Sequence, residues 1–162
     1  MIKKIALLFF LSCICIAAFT QNKKVNKNIA PFKIQMLSGE QFTYQQLQKD
    51  KPVILIYFSP TCDHCKNFTK ALLQHEKELA SRQIVMVTYL PVAEMKPFID
   101  SFNLNKYSNI KVGTEGYSFT VQKYYNVRLF PFVALYDKQI QLEKILPNNE
   151  NVYSTVSQIL KM

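Results

Sequence analysis

A chain of 162 residues with 49% hydrophobic and 19% charged side chains has enough apolar material for one packed domain and too much for a disordered chain. Its formal net charge of +9 comes from 20 basic against 11 acidic residues, and apart from Arg82 and Arg128 the basic side chains are scattered lysines. With no basic stripe and no recognisable nucleic-acid module, the charge reads as a solvated surface and no nucleic-acid partner is expected; weak attraction to anionic membranes or acidic partners is the alternative.

Met1-Ile2-Lys3-Lys4 opens the chain with positive charge, and Ile5 to Ala18 is apolar except for Ser12. A bilayer span takes about 20 apolar residues. The shorter run fits an export signal, so residues 1–20 are expected to be a signal peptide cleaved after Thr20, which places the protein in the periplasm. Two alternatives stay open: retention of the segment as a membrane anchor, and lipidation of Cys13. Residues 21–29 are polar and lysine-rich and read as a linker. Residues 30–162 then form a single domain.

Phe32 to Leu37 and Gln41 to Tyr44, separated by Ser38-Gly39, make a hairpin. Val53 to Phe58 is continuously apolar, as in a strand covered on both faces. A helix is expected to follow from Cys62, with Phe68, Ala71, Leu72, His75 and Leu79 on its inner side. Ile84 to Leu90 is the next buried strand. Pro91 opens a helix that carries Met95, Phe98, Ile99 and Phe102 on one side. Asn103 to Gly116 reads as irregular, and Ser118 to Tyr125 as a short helix. Phe132 to Tyr136 and Gln139 to Leu146 pair as strands across Asp137-Lys138. Asn148 or Asn149 caps a last helix to Leu160. Strands alternating with helices imply an α/β domain around a central mixed sheet.

The chemistry concentrates in Cys62-Asp63-His64-Cys65. Two cysteines at this spacing on a helix start can close a disulfide with each other. Their sulfurs lie near the positive end of the helix dipole, which favours a thiolate, the species that attacks disulfides. Cys13 and Cys15 fall in the signal segment, so this pair holds the cysteines that remain after export. One close pair is no structural disulfide framework, and a passive bond over so short a loop constrains little of the unfolded chain. Redox use is therefore expected, with a passive disulfide or a metal half-site as the bland readings. Cys62, at the exposed end, is the expected nucleophile; Cys65, one turn further in, resolves the mixed disulfide. A protonated His64 would favour the thiolate and Asp63 would oppose it. His64 is read either as that tuning group or as a solvated helix residue.

Ala30-Pro31-Phe32, the hairpin, Leu47, the strand at Val53 to Phe58 and then Cys62-x-x-Cys65 come in an order similar to that of a known family, and Tyr125-x-Val127-x-x-x-Pro131-x-x-x-x-x-Asp137 adds a second anchor. Together they resemble the thioredoxin-fold proteins of the TlpA/ResA type, exported or membrane-tethered bacterial thiol-disulfide oxidoreductases. The resemblance implies a thioredoxin-like fold: a central mixed β-sheet flanked by helices, with the N-terminal β-hairpin as an extension. It implies that Pro131 is cis, packs against the cysteine pair and, with Phe130, forms the surface that receives substrate. Partners would be protein thiols and disulfides, with a membrane electron donor where the protein acts as a reductase, the favoured direction. A monomer without cofactor or metal is expected.

Three positions depart from the pattern. Thr61 stands where related motifs carry tryptophan, Ile56 where many thioredoxins bury an acid, and Phe68 where the TlpA/ResA type often has glutamate. Glu76, the next acid along the helix, is too distant to replace them. A copper chaperone would need a distal histidine, and none follows His75. A thiol peroxidase would show P-x-x-x-T/S-x-x-C; Ser59 fits the hydroxyl position, but Leu55 stands where the proline belongs.

Overall fold

The computed structural model describes residues 26–148 and 151–162. The expected signal peptide, Cys13, most of the linker and Asn149 lie outside the described residues. Among the described residues no helix is long and apolar enough to cross a membrane.

Among the described residues, seven strands form one sheet in the order β2-β1-β5-β4-β3-β6-β7. They are β1 (Lys33–Met36), β2 (Gln41–Thr43), β3 (Val53–Tyr57), β4 (Gln83–Thr88), β5 (Ile110–Thr114), β6 (Phe132–Tyr136) and β7 (Leu142–Leu146). Strands β3, β4 and β5 run parallel, whereas β1 and β6 join this centre antiparallel. The expected mixed sheet and hairpin extension are both present. The helices are α1 (Asp63–Leu73), α2 (Glu76–Leu79), α3 (Val92–Ser101), α4 (Thr120–Tyr125) and α5 (Val152–Leu160).

Alternation along the strands divides the core. Ile54, Ile56 and Phe58 face one layer with Cys65, Phe68 and Leu72 of α1, Met95, Phe98 and Ile99 of α3, and Val156 and Ile159 of α5. Val53, Leu55 and Tyr57 face the other layer with Phe32, Leu47, Val121 of α4 and Tyr136. Each fully buried aliphatic or aromatic side chain contributes roughly 1.5–3 kcal/mol by leaving water.

Four sequence expectations are corrected. The stretch taken as irregular contains β5, which is central in the sheet between β1 and β4. Only Ile110 and Val112 announce it, because the strand is short and ends in Gly113-Thr114. The expected long helix from Cys62 stops at Leu73, and His75 precedes the separate turn α2; His75 is half-buried, its Nδ1 2.7 Å from Glu78 Oε1. Strand β7 begins at Leu142 rather than Gln139, since Asp137 Oδ1 accepts from the amides of Gln139 and Gln141 and folds that stretch into a turn. The last helix is capped by Asn151, whose Oδ1 accepts from the Ser154 amide at 3.1 Å, and not by Asn148 or Asn149.

Gly113 has a steric reason. A Cβ there would lie 2.9 Å from the Gln35 carbonyl oxygen and from Ile34 Cβ across the β1–β5 pair. A Gly113→Ala variant must push β1 away, so urea unfolding is expected to show a loss of about 1–3 kcal/mol, the usual cost of overpacking; an unchanged midpoint would mean that β1 yields freely.

Candidate active site

Strand β3 ends at Tyr57, and the chain then turns through Phe58-Ser59-Pro60-Thr61 into α1. Phe58, Ser59 and Pro60 are buried, while Thr61 is exposed. The Cys62 amide donates to the Ser59 carbonyl at 3.1 Å, which closes the turn. Cys62 is the N-cap of α1, and its sulfur accepts from the Cys65 amide at 3.4 Å. Sulfur thus takes the place that a serine or aspartate oxygen holds in an ordinary cap. Negative charge on this sulfur meets both that amide and the positive end of an eleven-residue helix.

The two cysteines, both free thiols here, are unequal. Cys62 is half-buried, whereas Cys65 is fully buried among the apolar residues of α1 and β3. Burial pushes the Cys65 thiol far above its ordinary range; hydrogen bonds with the backbone of Ser59 and of Cys65 itself pull down, and the neighbouring Cys62 sulfur pushes up again. Ile56 and Phe68 are packed core residues on the same side of the sheet as Cys65. No acid occupies either place where related proteins put one.

The other motif residues face outward. Asp63 is exposed and pairs with Lys66 at 2.8 Å, and that hydrogen bond holds its carboxyl below the usual range. Its charge near the Cys62 sulfur is therefore offset one helical turn away. His64 is half-buried. Thr61 borders an open groove whose far wall includes Ala93, Glu94 and Pro97 of α3.

The second half of the site enters from β6. Tyr57 pairs with Phe132, so beyond that pair β3 runs toward Cys62 while β6 is entered from Pro131. The Phe130–Pro131 peptide bond is cis, and Pro131 is buried. Phe130 is half-buried and packs against both core layers, including the one that holds Cys62 and Cys65. The fold therefore brings Cys62, Cys65, Phe130 and Pro131 to one end of the sheet.

Tyr124 and Tyr125, at the end of α4, take structural roles. They hold the N-terminal segment: the Tyr124 hydroxyl donates to the Asn28 carbonyl at 2.9 Å, and the Tyr125 hydroxyl accepts from the Ala30 amide at 2.8 Å. Tyr125 also stacks on Phe132 and bonds the Tyr136 hydroxyl; burial pushes its own hydroxyl up to about 12. Arg128 is exposed. Sequence reasoning missed Tyr57 and Glu115, which share a buried 2.7 Å hydrogen bond. A polar atom at the end of an otherwise apolar strand was the available signal, but its partner lay in the stretch read as irregular.

The thioredoxin family profile matches residues 33–128, more than half of the chain. The chain belongs to the thioredoxin family. Solved thioredoxin-like structures agree in fold. A secreted disulfide oxidoreductase of Mycobacterium tuberculosis is 21% identical with a TM-score of 0.63, over 79% of this chain and 96% of that one. An exposed lipoprotein thioredoxin of Streptococcus pneumoniae is 22% identical with a TM-score of 0.61, over 80% and 97%. A peroxidoxin of M. tuberculosis reaches a TM-score of 0.70 at 15% identity, over 85% and 94%. No curated protein matches the sequence. In this thioredoxin-family chain no three His, Cys, Asp or Glu side chains converge as a metal set among the described residues.

The inequality of the sulfurs is measurable in two ways. Brief iodoacetamide treatment of the reduced protein at pH 8 should add one adduct, on Cys62, by peptide mass spectrometry; equal labelling of Cys65 would contradict its burial. The second test is pH. A thiol raised by folding contributes stability that is fully present below its ordinary value of 9.0 and is lost as pH climbs above it. The reduced protein should therefore lose stability above pH 9 more steeply than a Cys65→Ala variant, in which the raised Tyr57, Tyr125 and Tyr136 hydroxyls remain.

Proposed function

We propose that this protein is an exported thiol-disulfide oxidoreductase of the TlpA/ResA branch that reduces protein disulfides. The observation that carries the reading is the pairing of a half-buried cysteine at a helix N-cap with a fully buried cysteine one turn behind it. Cys62, as thiolate, attacks one sulfur of a partner disulfide. A mixed disulfide forms and the partner's other sulfur leaves as thiolate and takes up a proton. Cys65 then loses its proton and attacks Cys62, forming Cys62–Cys65 and releasing the second partner sulfur as a thiol. Two electrons and two protons pass to the partner.

Each turnover leaves the protein oxidised, so continued reduction requires a dithiol donor, for which a membrane electron carrier is the fitting source. Phe130 and Pro131 are the residues we assign to partner docking, and Asp63 and His64 those that tune Cys62. Export, with the protein acting as a monomer outside the cytoplasm, is supported by the apolar leader and by the secreted and lipoprotein character of structural neighbours. The peroxidoxin neighbour does not favour peroxide chemistry here. Leu55, at the position the peroxidase motif gives to proline, is a buried residue in the middle of β3, and Ser59 Oγ is engaged with Thr61 Oγ1 at 3.1 Å.

A Cys65→Ser variant should trap partners as mixed disulfides through Cys62, released by dithiothreitol; Cys62→Ser should trap none and should not turn over. A reductase role requires a Cys62–Cys65 potential more negative than about −200 mV. A value near −120 mV would assign the opposite direction.

A further inference from the structure

Glu115 is the one acidic side chain that is buried among the described residues, at 8% exposure, and the exchange reaction has no use for it. It lies just after β5. Its backbone amide donates to the Thr88 carbonyl at 2.8 Å. Its carboxylate accepts from the Tyr57 hydroxyl at 2.7 Å, from the Val121 amide at 2.7 Å and from the Gln122 amide at 3.4 Å. A buried carboxylate is costly without such donors, so the cluster holds together as a unit. It does not serve Cys65. Tyr57 points into the second core layer, whereas Cys65 lies in the first, across the sheet.

What the carboxylate joins is informative. One arm is Tyr57, the last residue of β3, from which the chain runs to Cys62. The other is the start of α4, whose far end leads through Val127 and Arg128 to Phe130. The arms meet again through aromatic contacts. The Tyr57 ring is 5.8 Å from Phe130, Phe130 is 6.3 Å from Tyr89, and Tyr89 is 5.9 Å from Phe119, the residue before α4. Glu115 thus closes a ring of contacts in which Phe130 is the member that also packs against the core layer of Cys62 and Cys65.

We propose that Glu115 is a positioning residue for recognition of protein substrates: through Tyr57 and α4 it fixes Phe130 at the rim of the cysteine site. The proposal rests on the oxidoreductase reading, since Phe130 matters only if a partner docks there. It separates two substrate classes. A protein disulfide must lie against Phe130 to reach Cys62, whereas a small aliphatic disulfide reaches Cys62 without it.

The test compares insulin and 2-hydroxyethyl disulfide as substrates for the full chain and for Glu115→Gln and Tyr57→Phe. Tyr57→Phe keeps the buried ring and serves if Glu115→Gln fails to fold. Both variants should raise KM for insulin about tenfold, the scale of one lost charge-assisted hydrogen bond, with kcat retained and the small-disulfide rate unchanged. In a Phe130→Ala background the same substitutions should add little, because the effect is transmitted through that ring. Equal losses on both substrates, no change on insulin, or full additivity with Phe130→Ala would overturn the positioning role. A wild-type chain inert toward both disulfides would instead overturn the oxidoreductase reading beneath it.

Discussion

Strand β3 is the constraint on which the rest of the molecule depends. It is hydrogen-bonded on both sides, parallel to β4 and antiparallel to β6, and all five of its side chains are fully buried. A strand held in this way cannot slide, because a slip of one residue would exchange the two core layers. Its end is therefore a fixed point. The turn into α1 starts from it, and the register with β6 brings Pro131 to the same place. One strand's pairing thus brings the two cysteines and Pro131 to the same end of the sheet.

At this fixed point the helix start separates the two sulfurs by environment. Cys62 takes the capping position, where the sulfur is partly open to solvent and faces the Cys65 amide. Cys65 is carried one turn further and lands on the inner side of α1, in line with Phe68 and Leu72. The same amphipathic spacing that docks the helix thus decides which cysteine is reachable. Asp63 and Lys66 neutralise each other on the outer side, so the motif's own acid exerts less influence on Cys62 than its proximity suggests.

Much of this was legible in the sequence. The apolar runs of β3, β4 and β6 and the helical spacing after Cys62 carry strong periodic signals, and they placed the cysteine pair on a strand-to-helix turn. β5 was not legible, because a five-residue strand ending in Gly113-Thr114 owes its burial to neighbours rather than to its own composition. That omission also hid Glu115, whose partner Tyr57 is distant in the chain. The break at Gln74-His75 was hidden for a related reason: Leu79 keeps the helical phase of α1 although the helix itself has stopped.

The acid-free surroundings of Cys65 constrain the chemistry more than the motif does. In the first step of the proposed exchange Cys65 is a neutral thiol, kept so chiefly by burial and further by the sulfur of Cys62. Once Cys62 is in a mixed disulfide, it carries no charge, and that second contribution disappears while burial remains. The thiol then becomes easier to ionise at the moment its attack is required. Ile56 and Phe68 are core residues, so neither of those two positions offers a carboxylate to receive the proton. Its acceptor has to come from the open side of the site, as water or as the partner sulfur that leaves. The resolving step waits on the mixed disulfide, which supplies the Cys62 sulfur it attacks and the partner sulfur that leaves, and until then burial favours the Cys65 thiol.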